Sequence, residues 1–132
     1  MKLPNVLEGG CLCGNIRYLV IATKLASHTC SCKQCQHHSG SLTQVWVELS
    51  NDQIEWTGPG GLPTVWRSSE YSSRAFCSQC GSTIGAIDDK PTVAIALGTF
   101  DSPNRQGLAP QSHSYISKLP KWWRIDHLKT CD

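Results

Sequence analysis

The segment Cys30-Ser31-Cys32-Lys33-Gln34-Cys35 carries three of the chain's eight cysteines in the pattern C-x-C-x-x-C, and Ser39-Gly40 follows it closely. Thiols this close in sequence cannot all pair with one another, but they can converge on one soft metal ion. Zinc prefers thiolate and imidazole ligands in a tetrahedral array, and a site with three protein ligands keeps one position open for chemistry. The segment therefore predicts an open metal site.

Four further cysteines form two short clips on either side of this segment. Cys11-Leu12-Cys13-Gly14 lies upstream, and Cys77-Ser78-Gln79-Cys80-Gly81 lies downstream. A glycine after each clip lets the backbone turn tightly and point amide groups at the sulfurs. If the fold brings the clips together, four ligands close a tetrahedron, so we expect a structural zinc whose loss unfolds the protein. Cys131 is left over, and it is interpreted as a free thiol or as a further ligand of the open site.

Length and composition indicate a small globular chain. Its 132 residues predict one domain over 1–132, and 39% apolar residues with eleven glycines and seven prolines indicate many turns. No apolar run approaches the roughly 18 residues of a membrane-spanning helix, and the first residues lack an apolar signal region. We therefore expect a cytoplasmic protein with no membrane partner. Its clustered thiols should stay reduced and bind metal, with disulfides as the alternative.

The positive formal charge is no evidence for a nucleic-acid partner. The formal net charge is +2 with every cysteine neutral, but zinc ligands are deprotonated, so two filled sites would lower it to about −1. Trp122-Trp123 lies among lysines, and aromatic side chains with neighbouring cations can stack on bases. We favour the alternative that these tryptophans cover one edge of a sheet, so no nucleic-acid partner is expected.

Short apolar and β-branched runs separated by Gly, Pro, Asn and Asp predict an all-β domain. Gly9-Gly10 is interpreted as a turn, 22–29 as a loop leading to a short strand, and 30–40 as a knuckle or one helical turn. In 42–49 the alternation places Trp46 on one face and Val47 on the other. The predicted strands are 15–21, 42–49, 54–57, 64–68, 73–77, 82–87 and 92–97, with short ordered pieces at 113–116 and 122–125.

The three cysteine motifs, in this order and spacing, resemble the glutathione-dependent formaldehyde-activating enzyme family, which includes the centromere protein V group. The resemblance covers nearly the whole chain and implies a mainly β fold, the family's "β-tent" of antiparallel sheets pinned by zinc. It further implies two zinc ions. Cys11, Cys13, Cys77 and Cys80 would hold a structural zinc, and Cys30, Cys32 and Cys35 would hold a second, labile zinc at the active site.

The resemblance also implies a carbon–sulfur lyase that joins glutathione to formaldehyde or acts on related thiol–aldehyde adducts. Zinc would bind the incoming thiol as thiolate, the carbonyl carbon would receive the sulfur, and a proton donor would serve the alkoxide. The expected partner is a small thiol or aldehyde, and a homo-oligomer is left open. The alternative is a non-catalytic zinc-binding module with a closed second site, or none, and an exposed apolar patch.

Histidines offer further candidates for the site. His113, in Pro110-Gln111-Ser112-His113, resembles a Pro-x-x-His segment late in the family's sequences and is expected to act as the acid or base of the pocket. His37 and His38 follow Cys35, and each could ligate, move protons or cap a turn. His28 and His127 are interpreted as ordinary surface residues.

The chain departs from the family in the charge beside the open site. Family members often carry arginine or lysine after the third cysteine, where this chain has Gln36 and His37. Because charged contacts orient carboxylates, we expect weak glutathione binding or a preference for a smaller, less acidic thiol. Arg67, Arg74 and Lys118 are the cations that could supply the missing charge.

Overall fold

The computed structural model describes residues 3–123. Within that range the chain forms ten β-strands and one α-helix, α1 (Lys33–Ser39). Single 3₁₀ turns cover Asn51–Gln53, Leu97–Thr99, Gln106–Leu108 and Ile116–Lys118. The strands are β1 (Asn5–Gly10), β2 (Arg17–Ala22), β3 (Ala26–Cys30), β4 (Gln44–Ser50), β5 (Ile54–Trp56), β6 (Thr64–Arg67), β7 (Ser72–Phe76), β8 (Thr83–Asp88), β9 (Thr92–Ala96) and β10 (His113–Ser114).

These strands form two sheets, as far as the described residues extend. The small sheet has the order β1-β2-β5, and the large sheet has the order β10-β3-β4-β9-β8-β7-β6. Every pairing is antiparallel except the parallel pair β3–β10. The expectation of a mainly β fold built on antiparallel sheets is confirmed, and the short pair β3–β10 adds one parallel edge.

The main core lies between the two sheets. The large sheet therefore has an inner face, which packs on this core, and an outer face. Tyr18 and Val20 from the small sheet pack in one buried cluster with Val47 and Ile95 from the large sheet. Burying such side chains contributes roughly 1.5–3 kcal/mol each. Trp46, adjacent to Val47, lies in a second buried cluster with Cys30 and Cys35, so the predicted alternation of 42–49 is confirmed.

Gly9 and Gly10 are strand residues, which corrects the turn predicted there. They pair with Tyr18 and Arg17, and a side chain on Gly9 would collide with Tyr18 and the backbone of Thr99. Glycine is needed at this position for close approach of the strands and not for a turn. The turn follows instead at Gly14, whose φ is +83°.

The cysteine-rich segment forms more helix than was predicted. The seven-residue α1 begins after Cys32, whose side chain accepts a hydrogen bond from the Cys35 N–H, as an N-cap does. It ends at Gly40, which has a φ of +74° and donates its N–H to the Gln36 carbonyl at 2.8 Å. The short strand expected at the end of 22–29 is β3, which is paired on both sides by β4 and β10. These contacts hold the cysteines on ordered backbone.

Candidate metal centres and the adjoining cavity

The four-cysteine group, Cys11, Cys13, Cys77 and Cys80, joins the two sheets. Its first clip lies between β1 and β2 of the small sheet, and its second lies between β7 and β8 of the large sheet. The four sulfurs all lie within 4.8 Å of one another, with 3.6 Å between Cys11 and Cys13 and 3.8 Å between Cys13 and Cys77. Tetrahedral zinc with sulfur ligands at about 2.3 Å requires sulfur separations of roughly 3.8 Å. The group therefore fits a closed four-ligand metal site.

Backbone and hydroxyl donors surround these sulfurs. The Ile16 N–H donates to Cys11 Sγ at 3.2 Å, and Ser82 Oγ lies 3.1 Å from Cys80 Sγ. The hydrogen bonds from Ser82 lower the pKa of Cys80 to about 5. Such contacts stabilise thiolates and are what the outer shell of a metal site supplies.

The three-cysteine group, Cys30, Cys32 and Cys35, lies where β3 passes into α1. Cys30 ends the strand, Cys32 caps the helix, and Cys35 lies in its first turn. The sulfurs of Cys32 and Cys35 are 3.2 Å apart, and all three sulfurs lie within 4.8 Å of one another. Within residues 3–123, no further cysteine, histidine or carboxylate places a ligand atom within 4.8 Å of all three sulfurs, so the group offers three ligands to a metal.

The thiols of this group differ in how readily they ionise. Burial, together with the neighbouring thiols, raises the pKa of Cys30 to about 12. Burial also opposes ionisation of Cys32, but the Cys35 N–H, the adjacent thiols and Arg74 outweigh it and lower the pKa. Three thiolates in one place repel one another unless a cation lies between them. The donor set therefore suits a thiophilic metal ion.

Arg74 supplies fixed positive charge beside this group. Its guanidinium nitrogens lie 3.8 and 3.9 Å from Cys35 Sγ, and one donates to Gln34 Oε1 at 3.3 Å. The guanidinium carbon lies 5.4 Å from the centre of the Trp46 ring, a cation–π distance. By contrast, Arg67 binds Asp89 at 2.5 Å on the surface. Of the three cations named from the sequence, Arg74 is the one placed at the cysteine sulfurs.

A cavity of about 270 Å³ opens beside the three-cysteine group on the outer face of the large sheet. All three cysteines line it together with Arg74. Ala86 and Ala94, cross-strand partners in β8 and β9, form part of its wall, and their short side chains leave room above the sheet. The polar lining also includes His28, Glu48, Tyr71 and Asp88. The group therefore faces space in which a small ligand could lie.

Comparison with known proteins places this arrangement in a family. Residues 6–118, which include both cysteine groups, match the family described as glutathione-dependent formaldehyde-activating enzyme. The chain belongs to this family. A crystal structure of a Rhodobacter sphaeroides protein superposes with a TM-score of 0.62 at 15% identity, over 81% of this chain and 99% of that one. At that identity the likeness concerns the fold alone. The search of curated proteins finds no match.

His113, which was expected to be the acid or base of the pocket, lies outside the three-cysteine cavity. His113 in β10 pairs with Thr29 in β3, and its Nε2 lies 2.7 Å from Oγ of the fully buried Ser31. Among the described residues that line the cavity, His113 is absent and His28 is present. His28 Nδ1 lies 3.8 Å from Glu48 Oε1. His28 was expected at the surface because nothing in the neighbouring sequence links it to residues 46–48.

Gln36, at a position where the resemblance implied a basic side chain, makes structural contacts. Gln36 Nε2 donates to the Ser31 carbonyl at 2.8 Å and to the Lys118 carbonyl at 3.3 Å. It therefore holds the loop between Cys30 and Cys32. His37 and His38 line a second cavity and not the three-cysteine cavity.

Other predicted features of this family member lie farther from the cysteines or outside the described range. Trp122 is exposed and packs edge-on against Trp123, with ring centres 6.1 Å apart. This contact does not test a nucleic-acid partner. Cys131, His127 and part of the predicted 122–125 segment lie outside the described residues. Over residues 3–123, no helix is long and apolar enough to cross a membrane.

Proposed function

We propose that the chain is a zinc-dependent carbon–sulfur lyase that makes or cleaves adducts between a thiol and an aldehyde. In this proposal the four-cysteine group holds a structural zinc and the three-cysteine group holds a second zinc at the active site. The supporting observation is that three sulfurs converge at a cavity with no fourth protein ligand among residues 3–123. Family membership favours the same reaction class. The whole domain, 1–132, would act as one unit.

Zinc bound by three thiolates supplies an open coordination position that stabilises a substrate thiol in its nucleophilic, deprotonated form. Cys30, Cys32 and Cys35 would be its ligands. Arg74 lies against Cys35 Sγ and offsets the negative charge that three thiolates place there. The cavity then holds the aldehyde carbon against the sulfur, which lowers the entropic cost of the reaction.

The reaction balances without a redox partner. In adduct formation the thiolate sulfur donates its electron pair to the carbonyl carbon, the carbon–oxygen π bond breaks, and the oxygen takes up a proton. In cleavage the carbon–sulfur bond breaks, and the hydroxyl proton leaves. Polar groups of the cavity, among them Glu48, Tyr71 and Asp88, are in place to exchange that proton directly or through water.

His113 was expected to be the acid or base, and we now propose a positioning role. Its 2.7 Å contact with Ser31 Oγ lies on the segment that joins Cys30 to Cys32. It would therefore hold two metal ligands at the correct separation. His113→Gln retains a hydrogen-bonding side chain, so it should lose less zinc affinity than His113→Ala.

The proposal is tested by measuring how fast formaldehyde exchanges with its thiol adduct by ¹³C exchange spectroscopy, using zinc-loaded protein. Glutathione, cysteamine and 3-mercaptopropionate form the thiol panel. We expect acceleration for at least one thiol, loss of acceleration in Cys32→Ser and a clear decrease in Arg74→Gln. Arg67→Gln is the matched control, because Arg67 binds Asp89 and does not line the three-cysteine cavity. No acceleration with any thiol, at two zinc ions per chain, would refute the proposal.

The alternative, a non-catalytic zinc module, is favoured by one feature. Edge strand β6 exposes Val65 and Trp66, which are 51% and 67% accessible, and Leu62 is close in sequence and 72% accessible. An exposed apolar edge can bind another protein. The same exchange experiment separates the two functions, because a module would bind both zinc ions without accelerating the reaction.

A further inference from the structure

A second cavity, which we call the aromatic cavity, lies between α1 and the β6–β7 hairpin. It has a volume of about 500 Å³, within the range typical of small-ligand sites. Lys33, His37 and His38 of α1 form one side, and Trp66, Arg74 and Phe76 of the hairpin form the other. The family match and the chemistry proposed above assign it no role.

The register of the hairpin explains this lining. Trp66 pairs with Arg74, and Thr64 pairs with Phe76, so Trp66, Arg74 and Phe76 share one face of the two strands. Residues 33 and 37 are four positions apart, as are 34 and 38, so the members of each pair lie one turn apart along α1, and all four residues line the cavity. Thr83 Oγ1 donates to the His38 carbonyl at 3.3 Å and ties the end of α1 to β8. The cavity is therefore held between ordered elements.

The charge of the aromatic cavity is positive. Lys33 and Arg74 are fixed cations there, and none of its lining residues in the described part of the chain carries a carboxylate. The three-cysteine cavity, by contrast, has Glu48 and Asp88 on its rim. The aromatic cavity thus combines positive charge with two aromatic walls, Trp66 and Phe76.

The two cavities meet at shared residues. Gln34, Ser68 and Arg74 line both of them, and Arg74 also lies 3.8 Å from Cys35 Sγ. A ligand whose sulfur lies at the three-cysteine group could therefore extend past the guanidinium into the aromatic cavity. Only a short spacer between its sulfur and its anionic group would be needed.

We propose that the aromatic cavity is the subsite for a carboxylate-bearing apolar tail, so that the preferred thiols are aryl- or alkyl-substituted mercaptocarboxylates. Arg74 and Lys33 bind the carboxylate, and Trp66 and Phe76 pack on the apolar body. The link to catalysis rests on the proposed function, whereas binding at the subsite does not. Glutathione is largely polar, so it would gain little from packing against Trp66 and Phe76.

Calorimetry with a probe that has neither a thiol nor an aldehyde tests the subsite on zinc-loaded protein. The probe is 3-phenylpropionate, and its neutral counterpart of equal carbon number is 3-phenylpropan-1-ol. We expect the acid to bind at least about tenfold more tightly than the alcohol, because contacts to charged groups are stronger than neutral ones. Trp66→Ala should weaken the acid about tenfold, and Lys33→Gln about threefold.

Both substituted positions are exposed, so the variants should fold. Val65→Ala is the matched control, because Val65 is the neighbouring residue of β6 and does not line the cavity. Its affinity for the acid should stay within about twofold of the wild type. Equal binding of acid and alcohol, no binding of the acid at 10 mM, or unchanged affinity in Trp66→Ala would overturn the inference.

The outcome is separable from that of the proposed function. Binding of the probe without any thiol–aldehyde exchange activity would support the subsite and refute the lyase. Exchange activity without binding of the probe would support the lyase and refute the subsite. If both hold, the probe should inhibit the exchange competitively with thiol, and 3-mercapto-3-phenylpropionate should be a better substrate than cysteamine.

Discussion

Replacing one cysteine in each group should have opposite consequences for folding. Cys80→Ser and Cys32→Ser exchange the same atoms, and both cysteines are half-buried, so neither substitution opens a large cavity. Cys77, which is fully buried, would be a poorer choice because its loss would also disturb packing. We expect Cys80→Ser to abolish the folded state and Cys32→Ser to leave it intact.

The expected magnitudes follow from what each group holds together. The four-cysteine group joins the clip of the small sheet to that of the large sheet. A structural zinc contributes about 10–16 kcal/mol, which is comparable with the 5–15 kcal/mol stability of a whole domain. Weakening that site should therefore remove most of the stability.

Cys32 occupies a position where serine is well tolerated. It is the N-cap of α1 and accepts the Cys35 N–H at 3.3 Å, and serine is among the best N-cap residues. The surrounding backbone stays bonded to β4 and β10. We therefore expect Cys32→Ser to change the free energy of unfolding by no more than about 1 kcal/mol, apart from the zinc it no longer binds.

Denaturant titration followed by circular dichroism, with zinc counted by mass spectrometry, measures both effects. The expected result is one zinc per folded chain in Cys32→Ser and little soluble, folded protein for Cys80→Ser. Similar unfolding of both variants, or a stable Cys80→Ser that retains two zinc ions, would show that stability and chemistry are not divided between the groups in this way.

Three further outcomes are expected. Mild chelation should remove the metal of the three-cysteine group while the circular dichroism spectrum stays unchanged; simultaneous loss of both metals and the fold would contradict this. Gly9→Ala should destabilise the protein by about 1–3 kcal/mol in denaturant titration, because its new methyl group would meet Tyr18, whereas Gly98→Ala meets nothing within 4 Å and should cost less. The hydrogen bond from Arg17 holds the pKa of Asp101 below its ordinary value of 3.8, so the ionised carboxylate stabilises the folded state above that pH and loses this effect as the pH falls through the folded-state pKa. Asp101→Asn should therefore lower the free energy of unfolding by about 0.5 kcal/mol at this exposed pair between roughly pH 5 and 8. A cost that is unchanged at pH 3 would refute the assignment.

Local chemistry allowed much of this protein to be predicted from its sequence. Cysteines two or three residues apart must lie close together, and Gly14 and Gly81 adopt the positive φ values, +83° and +77°, that tight turns after the clips require. The period of two in 42–49 correctly separated Trp46 from Val47. These features depend on residues that are close in sequence, so a sequence pattern is enough to predict them.

Contacts between distant segments were decided by the tertiary structure. Arg74 lies 39 residues after the Cys35 sulfur that it contacts, and His113 lies 82 residues after Ser31. Such pairs depend on strand order and register, which β7–β8 and β3–β10 pairing set through the packing of whole sheets. Gly9 was assigned to a turn because glycine favours turns, yet it lies in a strand that must pass close to Tyr18. The charge and shape of the space beside the three-cysteine group arise from this assembly, because no local pattern places a guanidinium against a particular sulfur.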